Sequence, residues 1–285
     1  MSIGYDAFCV SCGWRTDDPL LYKCQRCGGI LQIRINVEFS DDRIIRHDYS
    51  MWRYRAFYPY ITEKSIISLG EGLTPLIRFR ANTYLKLEYV NPTGSFKDRG
   101  SSALISAVKD RIKPGDFIAE DSSGNAGASI AAYAAFAGIR ARIYVSEKVS
   151  GRKFEQIRAY GAEIVRVSGP RIRVTEEAMK PERNKVYIGH VYHPVFRDGI
   201  RTLAYELYEQ VGRNGLGTIF LPVSAGTLLL GIIEGFTHLR ESGIIEDIPP
   251  IVACQTEKVS PLYHSLKGLK YEPPEKVESI RRCYC

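Results

Sequence analysis

"DFIAEDSSGNAGASIAAYAAFAG", residues 116 to 138, starts as a short apolar run, crosses a loop of Ser, Gly and Asn, and ends in an alanine-rich stretch with helical spacing. A strand, a glycine turn and a helix in that order make half of a parallel βαβ unit. The same rhythm surrounds it. From Thr83 onward the β-rich runs "TYLKLEYV", "ARIYVS", "AEIVRV", "KVYIGH", "TIFLPVS" and "IVACQT" alternate with the helical patterns "GSSALISAVKDRI", "GRKFEQIRAYG", "VTEEAMK", "DGIRTLAYELYEQVG" and "LLLGIIEGFTHLRESG". Such alternation predicts an α/β fold of parallel sheets covered by helices on both faces. There is no internal repeat.

The chain has 285 residues, 45% hydrophobic and 25% charged, enough for a full core in two structural units or one large one. The longest uncharged apolar run, Ala225 to Ile233, is too short to span a bilayer, and the N-terminus lacks the apolar core of a signal peptide. The expectation is a cytoplasmic protein with no membrane partner. Its net charge of +7 is spread among acids rather than gathered in a basic run, so nucleic acid is not the expected partner. Anionic small molecules suit the charge as well.

Four of the seven cysteines fall into two CxxC pairs, Cys9 with Cys12 and Cys24 with Cys27, each followed by a glycine. Two knuckles at this spacing place four thiolates around one tetrahedral Zn²⁺ and leave no open coordination position, so the metal is expected to be structural. Two disulfides are the alternative, disfavoured in a cytosolic chain. Residues 1–36 are therefore expected to form a zinc ribbon. Cys254, Cys283 and Cys285 have no such partnership and are expected to be one buried thiol and two tail thiols. Past the ribbon, the aromatic and charged stretch through Phe79 has no linker composition. Its "WRYRAFYPY" residues suit packing or a dimer contact.

In parallel α/β folds ligands bind at the carboxyl ends of the strands, where helix N-termini point. Three loops fall there: "NPTGSFKDRG" (91–100), "EDSSGNAGAS" (120–129) and "PVSAGTLLLG" (222–231). The last two offer small residues, hydroxyls and backbone N–H groups at a helix start, which is an anion cradle. In the first, Pro92 and Gly94 make a turn, Ser95 is the expected N-cap, and Lys97 enters the first helical turn, where the macrodipole disfavours a cation. An amine with a pKa lowered in this way is a better nucleophile toward a carbonyl. A lysine nucleophile, a phosphate cradle and the polar Asn125 together are what pyridoxal phosphate requires. His190 and His193 are read as structural.

"NPTGSFKDRG", "SSGNAGAS", "SLGEGLTP" and "FRDGIRTLAYELYEQVG" followed by "PVSAGTLLLG" resemble the pyridoxal-phosphate enzymes related to tryptophan synthase β, and within them threonine synthases. The ribbon followed by "MWRYRAFYP" resembles the archaeal and bacterial type in particular, and the likeness runs from about residue 5 to about residue 280. It implies two parallel-sheet α/β subdomains in residues 37–285, the smaller at roughly 98–170, and a homodimer. Lys97 would carry the cofactor as a Schiff base beside Phe96. Asn125 would bond the ring hydroxyl, and Ser224, Ala225, Gly226 and Thr227 would hold the cofactor phosphate. Ser122, Ser123, Gly124 and Ala126 would cradle the carboxylate of an amino-acid substrate, with Thr74 and Ser95 on the substrate side and Arg99 at the substrate's own phosphate. The family reaction converts O-phosphohomoserine and water to threonine and phosphate.

The chain differs from the family pattern in three places. "SAGT" replaces a loop that usually begins with Gly or Asn, and "SSGNAGAS" is the form of dehydratase-like relatives. The family also runs on to a Ser or Thr that touches the pyridine nitrogen, where this sequence ends in "SIRRCYC", so the expectation includes a short C-terminus and an unheld ring nitrogen. A phosphoserine-using or dehydratase relative, an inert paralogue and a zinc-ribbon nucleic-acid protein stay open as alternatives.

Overall fold

The computed structural model describes residues 4–212 and 215–272; Cys283, Cys285 and the terminal "SIRRCYC" lie outside these. Strands β1 (Tyr5–Cys9), β2 (Arg15–Thr16) and β3 (Leu31–Ile35) form an antiparallel ribbon in the order β2-β1-β3. Alternate residues of β1 and β3 are buried, because one face of the ribbon packs on the rest of the chain. The aromatic stretch that follows winds through a 3₁₀ segment at Met51–Phe57 and buries Trp52, Tyr54, Phe57 and Tyr58. The Trp52 indole N–H donates to Ser102 Oγ at 2.8 Å, so this arm is part of the core.

Strands β4 (Leu76–Arg80) and β5 (Thr83–Lys86) pair antiparallel. This corrects the expectation that "TYLKLEYV" opens the parallel alternation: only Ala81 and Asn82 separate the two strands, and a parallel pairing needs a crossover of a dozen residues or so. After β5 the chain enters α1 (Lys97–Val108), then β6 (Phe117–Glu120), α2 (Asn125–Phe136), β7 (Arg140–Ser146), α3 (Arg152–Ala159), β8 (Glu163–Val167), α4 (Arg171–Met179) and β9 (Lys185–Tyr187). The strands make one parallel sheet in the order β8-β7-β6-β9. All four residues of β6 are buried, as a strand covered on both faces requires.

The chain continues through α5 (Pro194–Ile200), α6 (Thr202–Val211), β10 (Ile219–Pro222), α7 (Thr227–Glu241), β11 (Ile251–Cys254) and α8 (Pro261–Leu266), with β10 and β11 parallel. "DGIRTLAYELYEQVG" was expected as one helix and is two. His193 Nδ1 caps α5 by accepting the Val195 N–H, which starts that helix upstream, and the boundary between the two helices falls at Arg201, itself in helical conformation. Cys254, expected to be buried, is exposed on the outward-facing side of β11.

Glycines allow the helices around the site to touch. A Cβ on Gly199 of α5 would lie 2.3 Å from the Arg99 carbonyl oxygen of α1, and one on Gly235 of α7 would lie 2.6 Å from the Ala204 Cβ of α6. One apolar core gathers around α1, α2 and β6, a second around α6 and α7, and Leu228 and Val37 pack against both. Among the described residues no helix is long and apolar enough to cross a membrane.

Candidate active site

The Asn91–Gly94 turn closes through the Gly94 N–H on the Asn91 carbonyl at 2.8 Å, with Gly94 at φ +86°, a conformation few side chains tolerate. The chain then coils immediately. Phe96 occupies the cap position of α1 in helical conformation with no side-chain cap, and the Asp98 N–H bonds the Ser95 carbonyl. Ser95 is therefore not the N-cap expected from sequence; its Oγ is buried without a hydrogen-bond partner among the described residues. Lys97 is 1% exposed, with Nζ 3.9 Å from the centroid of the Phe96 ring.

The second loop leads into α2. Gly124 stands at its cap with no side-chain cap, and its N–H reaches Ser122 Oγ at 3.2 Å. A Cβ on Gly127 would lie 1.9 Å from the Ser122 carbonyl oxygen, so the loop folds back over the first helical turn and only glycine fits there. Ser122, Asn125 and Ala126 are buried, and Ser123 and Gly124 are half-buried. The third loop differs. Ser224 and Ala225 are exposed, Gly226 has φ +84° with open space where a Cβ would stand, and α7 starts at the buried Thr227 without a side-chain cap. The structure joins the three loops through packing: α1 lies on α2 and α5, and α7 lies on α5 and α6.

Two uncapped helix starts, one of them open in front, suit a ligand with an anionic group at each end. The buried Lys97 amine opens α1, which packs on α2, and the orphaned Ser95 hydroxyl lies just before it. This donor set fits pyridoxal phosphate: amides for the phosphate, an amine for the aldehyde and polar side chains for the ring.

Arg99 and Thr74 sit elsewhere than the substrate reading expected. The Arg99 side chain has no exposed surface, and its guanidinium bonds Glu88 and Glu206. Thr74 is also buried, and its hydroxyl donates to Glu88 Oε1 at 2.6 Å. Both belong to a closed ion-pair network rather than an open subsite. The histidines are structural as read: His190 Nδ1 lies 2.7 Å from Glu120, and burial drives the capping His193 down to about 3.

In the ribbon, the sulfurs of Cys9, Cys12, Cys24 and Cys27 all lie within 4.8 Å of one another, and none of the four forms a disulfide. Four thiolates at about 2.3 Å from a shared ion would stand about 3.8 Å apart, so the cluster fits tetrahedral zinc. The two knuckles repeat one geometry: the Gly13 N–H meets the Cys9 carbonyl and the Gly28 N–H meets the Cys24 carbonyl, both at 2.9 Å. Tyr22, just before the second knuckle, packs edge-on against Tyr187 of β9 with ring centroids 5.1 Å apart.

Sequence reasoning assigned no role to Asp98, Ser129, Glu71 or Tyr133, which the fold brings together behind Lys97. The available signal was the four-residue spacing of the polar residues Asn125, Ser129 and Tyr133 in an otherwise alanine-rich helix.

The family model for pyridoxal-phosphate dependent enzymes matches residues 67–282, and the chain belongs to that family. The curated relatives it resembles carry a more particular name. A threonine synthase of Methanocaldococcus jannaschii is 28% identical across 96% of this chain and 72% of its own length. That of Methanosarcina acetivorans is 27% identical across 93% and 68%, and that of Mycobacterium bovis 32% across 80% and 65%. Among solved structures, the O-acetylserine dependent cystathionine beta-synthase of Helicobacter pylori superposes with a TM-score of 0.59 at 25% identity, covering 72% of this chain and 68% of that one. The cysteine synthase of Entamoeba histolytica gives 0.59 at 25% identity, covering 73% and 63%. The fold is thus that of the tryptophan synthase β-like enzymes.

Proposed function

We propose that the chain is a lyase of the threonine synthase type, converting O-phosphohomoserine and water to threonine and phosphate. The observation that carries this is the similarity to the Methanocaldococcus jannaschii threonine synthase over 96% of the chain, a coverage that takes in most of the ribbon. Lys97 would hold the cofactor aldehyde beside Phe96, Asn125 would face the ring hydroxyl, and the Ser224–Thr227 amides would take the phosphate. The first turn of α2, with Ser122, Ser123, Gly124 and Ala126, would hold the substrate carboxylate, with Ser95 toward the substrate side. Arg99 enters through Glu88 and Glu206, which accept the Thr74 hydroxyl and the Leu73 N–H and so lock that turn.

Bound pyridoxal phosphate supplies the electron sink that makes the α proton acidic. Lys97 takes that proton from Cα, and the same amine serves proton transfer at Cβ. A positioned amine of this kind contributes about 10²- to 10⁴-fold. Phosphate leaves Cγ with its bonding pair as Cβ loses a proton, Cγ then gains a proton, water delivers its hydroxyl to Cβ and its proton to the Lys97 amine, and Cα regains the proton it lost. The α2 amides keep the carboxylate fixed throughout, which confines motion to the reacting carbons. Cys9, Cys12, Cys24 and Cys27 would hold one structural Zn²⁺.

The test is the visible spectrum of the protein with pyridoxal phosphate beside Lys97→Ala, then phosphate release from O-phosphohomoserine and from O-phosphoserine. A Lys97-dependent band with release from O-phosphohomoserine is expected. Release from O-phosphoserine alone would move the protein to a β-replacement activity, and a band with no release would point to an inert relative. Metal analysis of protein grown with ample zinc should find one ion per chain. Cys24→Ser should lose both the ion and part of the thermal stability, and a metal-free, equally stable parent would end the zinc assignment.

A further inference from the structure

The residue after Lys97 is a fully buried acid. Asp98 Oδ2 accepts the Thr93 N–H at 2.7 Å, and Oδ1 accepts the hydroxyls of Thr93 at 2.5 Å and of Ser129 at 2.6 Å. Ser129 lies one turn along α2 from Asn125 and also meets Ser101 Oγ at 2.7 Å. One carboxylate thus closes residues 93–98 into a ring and bolts that ring to the helix whose first turn forms the cradle. The outer side of the ring is held as well: Lys153 Nζ and Gln156 Nε2 of α3 bond the Thr93 carbonyl at 3.0 and 3.2 Å. A turn further along α2, the Tyr133 hydroxyl donates to Glu71 Oε2 at 2.6 Å, and Glu71 also accepts the Leu69 N–H at 2.9 Å. The face of α2 that carries Asn125 therefore carries, every fourth residue, a tether to a loop bordering the site.

We propose that Asp98 is a positioning residue for Lys97: through Thr93 and Ser129 it fixes the lysine loop on α2, so that the amine and the carboxylate-binding turn keep one register. Helix packing alone does not set that register. Gly94, at positive φ, leaves the loop a soft joint, and among the described residues Ser95 makes no side-chain bond that would stiffen it. Charge is not the required property. The partners are one amide and two hydroxyls, and hydroxyls can accept as well as donate, so an asparagine can satisfy the same three groups. This inference rests on Lys97 being the cofactor lysine.

The experiment compares the parent with Asp98→Ala, Asp98→Asn and Ser129→Ala. Ser129→Ala puts a good helix former in α2 and removes the tether between loop and helix together with the bond to Ser101 of α1, leaving the Thr93 bonds to Asp98 in place. The readouts are the pyridoxal-phosphate dissociation constant from the Lys97-dependent visible band, kcat and KM separately, and hydrogen exchange at the Thr93 amide. Asp98→Ala and Ser129→Ala should each weaken cofactor binding by about 10-fold or more and lower kcat more than they raise KM, while Asp98→Asn stays within about threefold of the parent. Asp98→Ala should also speed exchange at Thr93. If Asp98→Ala fails to fold, Ser129→Ala and the Asn variant still decide. Folded variants with parental affinity, kcat and band position, altered only in melting temperature, would overturn the proposal. If the parent itself gives no band, the role of Lys97 has failed; exchange at Thr93 then still judges the tether, and unchanged protection in Asp98→Ala would refute it separately.

Discussion

Glu206 on α6 and Asp98 on α1 are both fully buried carboxylic acids on helices that flank the lysine loop, yet they are held in opposite ways. Glu206 faces cations. Burial opposes its ionisation, but the charges of Arg99 and Lys86 outweigh that and hold it down to about 2. Lys86 Nζ lies 2.7 Å away, and the Arg99 guanidinium spans Glu206 and Glu88. Asp98 faces hydroxyls and an amide. Burial raises it above its ordinary value, with Ser129, Thr93 and the more distant Lys153 only partly offsetting the shift. Glu71 follows Asp98: burial raises it against bonds from Ser102, Tyr133 and the backbone. The two arrangements suit different tasks. Paired charges hold β5, the Glu88 turn and α6 together only while every member is present, because each offsets the cost of burying the others. Carboxylates met by neutral donors contribute less to stability but fix geometry, since each lone pair has one directed partner.

Removing Arg99 should show the largest effect. Arg99→Met leaves the buried Glu206 and the half-buried Glu88 without their shared cation and should cost about 3–5 kcal/mol in urea unfolding. A loss below about 1 kcal/mol would show that the cluster is not organised around the arginine.

Acid should separate the clusters next. Glu206 has a folded pKa below its ordinary 4.5, so its stabilisation is complete above that value and is lost as pH falls toward about 2. Asp98 has a folded pKa above its ordinary 3.8, so its ionisation costs stability, with no penalty below 3.8 and a growing one as pH rises to the folded value. Denaturation of the parent, Glu206→Gln and Asp98→Asn across about pH 2 to 8 should then give opposite trends. Glu206→Gln should lose ground to the parent as pH rises, and Asp98→Asn should gain it. Parallel curves would mean that the two acids share one environment after all.

The α/β class and the three loops were legible because periodicity and glycine turns are local signals, and the spacing of Cys9, Cys12, Cys24 and Cys27 is local too. "TYLKLEYV" was misassigned because strand propensity does not say which neighbour a strand meets; the tight Ala81–Asn82 connection decided that. Arg99 was placed at a phosphate because a basic residue beside Lys97 reads as an anion receptor. Only the fold reveals Glu88 and Glu206 around it, from 11 and 107 residues away in sequence.

By itself the sequence determined which residues can do chemistry and which local turns present them. Lys97 at a helix start, Gly124 and Gly226 before uncapped helices, and four cysteines in two knuckles are each set within a dozen residues. The tertiary structure decided which of those residues keep a free face and which are spent inside. Burial and pairing depend on side chains that arrive from distant elements: Ser129 and Thr93 close on Asp98, and Glu206 closes on Arg99. The cost of burying a polar group unpaired forces such partners to meet, and no local pattern records which ones will.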